Sequence, residues 1–407
     1  MGFLITAPVG GVGMDADGAY AGLRVLDLGQ GVAAPYCAML LAMHGAEVVK
    51  LEPPAGDWSR GLGTQYGEHT AMSAHYNRGK RSLALDLKAN AAREIAAELA
   101  RGADVVIEGF RPGVAARLGL GYEELSARNP RLLYLSVSGF GQQGPYVDLP
   151  CTDSVAQAFS GLMSVNLGND GAPHRVGAII IDTLTGLYAA QALGVALYAR
   201  ERRGHGQRLE VSLTQCAAAI LGHKLAEHCL EAGAPRALNV PTGAYRTRNG
   251  WIMVALVREE QYARLVTALG RADLAQDARF ADFAARATHA SVLCDTIGSI
   301  FLDDTTEGWL DRLRAADILA DRINGFDDWL ADPHIVATGG AVPVDQPGMG
   351  RFFAPRTPGI FPETDAAMSP APRIGEHGGA ILAELGIDPA TITRLRLEKI
   401  LYIPEER

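Results

Sequence analysis

Two acids stand out by their surroundings, Asp182 and Asp153. Asp182 follows the apolar residues 178–181 (AIII) and precedes Thr183, Leu184, Thr185 and Gly186. A carboxylate at the start of a long helix gains from free backbone N–H groups and from the helix dipole. That setting suits an N-cap, and it also suits a nucleophile; one residue can be both. Asp153, in the sequence Cys151-Thr152-Asp153-Ser154, adjoins another mostly apolar run, and its plain reading is a turn or a local cap.

Cations gather around short β-like runs. Lys80 and Arg81 precede one of them and Lys88 follows it, while Arg111 follows Phe110 at the end of another, with Arg117 six residues on. Ligands of open α/β sheets bind at the carboxyl ends of the strands, where several cations would suit a polyphosphate. A dinucleotide site is a weaker reading. Gly29 and Gly31 follow a strand-like run and Glu52 ends the next, but Ala33, Ala34 and Pro35 stand where a third glycine should open the helix.

Other chemistry is disfavoured by composition. The 407 residues carry a net charge of −9, which argues against a nucleic-acid or anionic-membrane partner. Cys37, Cys151, Cys216, Cys229 and Cys294 are odd in number, widely spaced and lack a CxxC pair, so neither a disulfide framework nor a zinc site is expected. No metal site and no permanently bound cofactor is expected. Residues 1–20 lack a basic signal-like region, no apolar run approaches the roughly 20 residues of a membrane span, and a cytoplasmic protein is expected.

The elements that must position these groups alternate. Residues 23–28 (LRVLDL), 47–51 (EVVKL), 82–87 (SLALDL), 104–108 (DVVIE) and 132–137 (LLYLSV) read as strands, with helices over 35–44 and 91–100. Such alternation predicts a parallel sheet covered by helices on both faces. A long helix follows, capped by Asp182 or Thr183 and running through Arg203. Ser212 then starts a helix reaching to about Leu230. From about residue 235 a strand over 251–257 and helices near 259–269, 288–302 and 306–315 have the size of a smaller domain. A last helix is expected over 377–385. The predicted division is a flexible leader 1–21, a large domain 22–230, a small domain 231–334 and a return segment 335–407 completing the large domain.

Residues 22–29 (GLRVLDLG), 44–54 (HGAEVVKLEPP), 79–88 (GKRSLALDLK), 103–113 (ADVVIEGFRPG) and 204–212 (GHGQRLEVS) carry a resemblance. Together with Asp182, Thr185, Gly186, Asp332-Pro333-His334 and Gly375-Glu376-His377, they resemble family III CoA-transferases over nearly the whole chain after the leader. The resemblance implies an α/β fold with a Rossmann-like large domain, a smaller α+β domain and a homodimer of interlocked rings. It implies acyl-CoA and small carboxylic acids as substrates, with CoA moved through a covalent aspartyl intermediate on Asp182 and with Asp153 as a helper acid. Lys88, Phe110, Arg111 and Arg117 fall where the family holds the adenine and phosphates of CoA.

Departures from the formyl-CoA member point away from its substrates. Val32, expected among the CoA-binding residues, stands where that enzyme has a glutamine touching the reacting groups, and Pro53 replaces an arginine near the adenine. Its glycine-rich active-site loop has no counterpart between Leu230 and Trp251. Larger or less polar acyl groups are therefore expected. The alternative is an α-methylacyl-CoA racemase on the same fold, but Thr152 occupies the position of the histidine that a two-base mechanism requires. A nicotinamide dehydrogenase and a CoA-binding protein without catalysis are the readings outside this class; the missing third glycine counts against the first, and Asp182 against the second.

Overall fold

The computed structural model describes residues 18–168, 171–233, 239–359 and 369–405. The described residues up to 222, with those from 339 onward, form one compact unit, and the described residues between 223 and 338 form another. All of the helix Gly222–Leu230 except Gly222 thus falls in the second unit, whereas the sequence expectation kept it in the first.

The first unit is a mixed α/β body on a seven-stranded sheet. Its strands are β1 (Arg24–Asp27), β2 (Glu47–Glu52), β3 (Arg81–Leu85), β4 (Val105–Glu108), β5 (Leu133–Ser138), β6 (Gln207–Ser212) and β7 (Leu401–Tyr402). The order across the sheet is β7-β3-β2-β1-β4-β5-β6. Six strands run parallel, and β7 pairs antiparallel with β3 at the edge. The chain builds outward from β1 to β3, then returns to place β4 on the other flank of β1. The crevice beyond the carboxyl ends of β1 and β4 is therefore the topological switch point where such sheets bind ligands.

Successive side chains of a strand face opposite ways, which splits the core in two. Val25, Val105 and Ile107 point into one core with Leu133 and Leu135; Leu26, Val106 and Tyr134 point into the other. The first core holds helix α1 (Ala33–Met43), in which every residue but Tyr36 is buried, and the long helix α4 (Ile180–Arg203). The second holds α2 (Asn90–Gly102), whose Ala92, Ile95, Ala96 and Ala100 form one stripe at helical spacing. Between them in sequence, α3 (Asp153–Phe159) places Ala156 in the first core.

α4 is long and apolar enough, by length and composition, to cross a membrane, contrary to the expectation that no segment would be. Asp182, Thr183, Thr185 and Gln191 interrupt any continuous apolar run, which is why the sequence does not flag it. Its stripe of Ile181, Ala189, Leu193 and Ala196 lies buried in the first core, as a core helix requires. Leu187, Val195 and Tyr198 on other faces are exposed.

Two further expectations are corrected. Residues 18–21 belong to the packed body, because Tyr20 N–H donates to the His44 carbonyl at 2.9 Å and its ring meets the His44 ring edge-on; the rest of the leader lies outside the described residues. Nor is the helix after Gly375 the last element. Gly378–Glu384 is followed by Pro389–Leu397, capped by Asp388 with Pro389 opening the helix, and then by β7.

The second unit is α+β by itself. A three-stranded antiparallel sheet (Leu319–Arg322, Trp251–Ala255, Gly243–Arg246) packs Ile252 and Val254 against Leu265, Ile297, Phe301 and Leu313 from three helices. Buried Arg286 donates to the carbonyls of Val240 and Phe280 and stacks against the Tyr262 and Phe283 rings.

Candidate active site

The turn between β1 and α1 is fixed from beneath by buried charges. Asp27 ends β1 and accepts from Gly29 N–H at 2.9 Å, while Lys50 Nζ donates to the Gly29 carbonyl at 2.8 Å. Asp57 accepts from Gly31 N–H at 2.9 Å and pairs with Lys50 at 2.8 Å, both side chains fully buried. Gly31 adopts φ +80° with the Trp58 ring against it, so a side chain there would be both strained and obstructed. Lys80 places its three ammonium hydrogens on Asp27, the Pro35 carbonyl and Asn77 at 2.8, 2.8 and 2.9 Å.

These buried pairs decide the protonation of their members. Burial works against the charge on Lys50, but Asp57, Asp27 and Glu52 outweigh it and raise its pKa. Asp57 is driven down in spite of burial by Lys50 and by the Ser59 and Gly31 amides. Lys80 is lowered to about 8 by burial, against the pull of Asp27, and with its three N–H bonds taken inside the fold it is a structural cation, not a phosphate ligand. Arg81 does not serve the site either, since it pairs with Glu384.

Asp182 occupies the third position of α4, not its cap. Ile179 is the N-cap residue and offers no side-chain hydrogen bond. The cap comes from another helix: Asp153 Oδ2 accepts from Ile181 N–H at 2.6 Å and from Asp182 N–H at 3.2 Å. Two of the first-turn donors that would otherwise be orphaned are thereby satisfied by one buried carboxylate. Asp153 Oδ1 in turn accepts from Gln157 Nε2 at 2.6 Å.

One turn along α4, Gly186 crosses α1 so closely that a Cβ would lie 2.7 Å from the Ala33 carbonyl oxygen. This brings the first turn of α4 beside the first turn of α1, at the carboxyl end of β1. The Asp182 carboxyl is pushed up to about 7, first by burial and then by the Asp153 charge. Tyr76 faces the same pair. Thr183 Oγ1 already donates to the Ile179 carbonyl at 2.7 Å, so at 3.2 Å the Tyr76 hydroxyl is the donor and Thr183 the acceptor. The Tyr76 hydroxyl is raised by burial, with Asp182 and Asp153 adding to it.

The expected CoA-binding residues lie where parallel strands end. Glu108, the last residue of β4, accepts from Phe110 N–H at 2.9 Å and so shapes the turn that carries Phe110 and Arg111. Phe110 is half-buried, and Lys88, Arg111 and Arg117 are exposed. Among the described residues none of these three cations has an ion pair, unlike Arg60, Arg81 and Arg131 nearby in the same unit. Val32 differs from expectation: it is the N-cap residue of α1 and only 2% exposed, so its side chain is packed away and its backbone alone borders the turn.

Gln157 and Tyr76 escaped sequence reading. Gln157 follows Asp153 at i+4, a spacing that places both on one helix face and was the available signal. Nothing in the sequence around Tyr76 connects it to Thr183, 107 residues later. Among the described residues no group of three or more His, Cys, Asp or Glu side chains could hold a metal ion.

The chain's relatives agree with this architecture. A family model for CoA-transferase family III matches residues 20–378. A succinate–glutarate CoA-transferase of Agrobacterium fabrum is 33% identical over 388 residues, 92% of this chain and 97% of that protein. A succinyl-CoA–D-citramalate CoA-transferase of Chloroflexus aurantiacus is 33% identical over 396 residues, 93% and 97% of the two chains. The crystal structure of a CAIB/BAIF family protein from Brucella suis superposes with a TM-score of 0.80 at 32% identity, covering 91% of this chain and all of that one. With a parallel central sheet, a match over nearly its whole length and relatives that are CoA-transferases, the chain belongs to CoA-transferase family III and is an enzyme.

Proposed function

We propose that this enzyme moves CoA from an acyl-CoA thioester to a carboxylic acid through a covalent intermediate on Asp182. An oxygen of the Asp182 carboxylate attacks the thioester carbonyl, the C–S bond breaks, and CoA leaves as thiolate from a mixed anhydride. The thiolate then attacks the aspartyl carbonyl, which releases the donor acid as carboxylate and leaves an aspartyl-CoA thioester. The acceptor carboxylate attacks that thioester and expels the thiolate, giving a second anhydride. Attack of the thiolate on its acyl carbonyl yields the new acyl-CoA and restores Asp182.

The single observation that carries this reading is the Asp182 carboxyl, pushed up to about 7 in the first turn of α4 with its own backbone N–H taken by Asp153. Such a carboxylate is a stronger nucleophile than a solvated one, and it remains substantially ionised near neutrality. Asp153 acts by holding the helix end and the orientation of Asp182. Phe110, Lys88, Arg111 and Arg117 would receive the adenine and phosphates of CoA, and the backbone at Val32 would border the reacting groups. The relatives' names make succinyl-CoA the first donor to try, with a small carboxylic acid as acceptor. The same reading includes a Rossmann-like large domain, an interlocked homodimer and a cytoplasmic location. The racemase alternative is not favoured: Thr152 carries no base, and the relatives named above are transferases.

The test is mass spectrometry of the protein mixed with succinyl-CoA, acetyl-CoA and other thioesters, with borohydride or hydroxylamine trapping and peptide mapping. A CoA adduct, or its trapped product, on Asp182 is expected. Exchange of the α-proton without any adduct would sink the transferase mechanism in favour of an isomerase.

A further inference from the structure

We propose that Gln157 is a positioning residue for the reaction, locking the Asp153 carboxylate in the one orientation that caps the Asp182 turn. The inference rests on the reading of Asp182 as nucleophile. Gln157 is wholly buried. Its Oε1 accepts from Val176 N–H at 2.8 Å and its Nε2 donates to Asp153 Oδ1 at 2.6 Å. The amide cannot be turned over. A backbone N–H can only donate, so the oxygen must face Val176, and this leaves the NH₂ group facing Asp153.

The consequence reaches the nucleophile in two steps. With Oδ1 occupied, Oδ2 is the oxygen left for Ile181 N–H and Asp182 N–H. The segment from Val176 to Asp182 is therefore tied at both ends by two side chains one turn apart on α3. Through the same geometry the Asp153 charge is held against Asp182. The other titratable groups facing this pair are Tyr76, from the helix Ala71–Tyr76, and Cys151, in the segment before α3. Both have raised pKa values, Cys151 to about 11 by burial and then by the two carboxylates, so both stay neutral around pH 7. Burial is the larger cause of the raised Asp182 carboxyl and the charge of Asp153 the second, and Gln157 fixes where that second charge sits.

Gln157→Glu separates the two bonds at constant shape. One oxygen still accepts from Val176; the other meets Asp153 where a donor had been, and it adds a negative charge once the proton that two such carboxyls share is lost. The expected result is a kcat at pH 7 lowered about tenfold or more, a KM for the CoA thioester within about twofold of wild type, and an acid limb of kcat/KM moved upward by about one pH unit. Gln157→Met removes both bonds at similar volume, and a kcat loss at unchanged KM is expected there too. A purely structural glutamine would lower the melting temperature of both variants and leave the pH limb in place. Wild-type kcat and pH limb in folded Gln157→Glu and Gln157→Met proteins together overturn the inference. If Gln157→Glu does not fold, wild-type kcat in Gln157→Met does so. Peptide mapping of the wild-type adduct separates the two levels. No adduct on Asp182 removes the nucleophile and this inference together, whereas an adduct formed at undiminished rate in the Gln157 variants removes this inference alone.

Discussion

Replacing Asp182 by Asn is expected to stabilise the enzyme while inactivating it, and the stabilisation should depend on pH. The carboxyl is moved from 3.8 to about 7 by burial and by Asp153, so its ionised form is less favourable in the folded chain than in the unfolded one. Below about pH 4 both states hold the proton, and the site has no effect. Between about pH 4 and 7 the unfolded chain gives up its proton while the folded chain keeps it, so stability falls as pH rises, and above about 7 the loss is complete. The displacement sets a ceiling of about 4 kcal/mol. Asp182 is partly open to solvent, so screening brings the expected gain of Asp182→Asn nearer about 1–2 kcal/mol. For a body of this size that is a few degrees of melting temperature, about 2–4 °C per kcal/mol. Thermal unfolding of both proteins from pH 4 to 8 reads it directly. The variant should match wild type near pH 4 and exceed it increasingly toward pH 8. A constant difference, or a variant less stable at pH 8, would refute the argument that burial and Asp153 raise this carboxyl. The same titration predicts that wild-type kcat/KM rises roughly tenfold from pH 6 to pH 8.

Asp182→Ala should abolish transfer and the covalent adduct while CoA still raises the melting temperature; wild-type-like turnover would end the covalent mechanism. Arg111→Ala or Arg117→Ala should raise KM for CoA thioesters more than it lowers kcat, and the wild-type KM should climb with ionic strength; a dominant loss in kcat would place these residues in the chemistry. Asp57→Ala leaves Lys50 buried without its partner and should cost about 3–5 kcal/mol in a denaturation experiment, since one charge of a fully buried pair is stranded. Gly186→Ala forces a methyl against the Ala33 carbonyl and should cost about 1–3 kcal/mol, with a fall in kcat as the Asp182 turn shifts; unchanged melting would mean that the two helices separate freely.

The sheet was largely legible because strand patterning is local. Val25 and Leu26 face opposite cores, as do Val105 and Val106, and such short apolar runs between helices carry the parallel sheet in the sequence itself. The Asp388-Pro389 start of the C-terminal helix is equally local, yet lies past the point where the last helix was expected. The site was less legible because its decisive contacts are not local. Asp182 looks like a cap in the sequence, but the cap is Asp153, 28 residues earlier for Ile181 N–H and 29 for Asp182 N–H. Lys80 reads as a candidate phosphate ligand beside Arg81, and only its burial on Asp27 removes it. Val32 is placed by resemblance, and no spacing rule foretells that its side chain turns inward.

The two layers of buried polar groups do different work, and this separation bears on how the site can vary. Beneath the turn after β1, Asp27, Lys50, Asp57 and Lys80 use their bonds on one another, on Asn77 and on backbone atoms, so they shape the turn and leave no charge for a ligand. Around α4 the arrangement is asymmetric: Asp153 is fully engaged by N–H donors, whereas no side-chain donor is recorded on the Asp182 carboxylate among the described residues. One acid of the pair is thus committed to structure so that the other stays available for attack. Exchanging the two roles would require a second capping group for α4, because Asp182 lies within the helix and it is Asp153 that accepts from the Ile181 and Asp182 N–H groups. A variant enzyme with a different acid at position 153 should therefore remain active only if that acid reaches both Ile181 N–H and Asp182 N–H. Asp153→Glu, one methylene longer, tests that distance requirement, and Asp153→Asn removes the charge but offers a single oxygen, so its NH₂ meets Gln157 Nε2 when that oxygen caps α4. Because burial is the larger cause of the raised Asp182 carboxyl, the acid limb in Asp153→Asn should move downward only in part, and an unmoved limb would remove the Asp153 charge from the account.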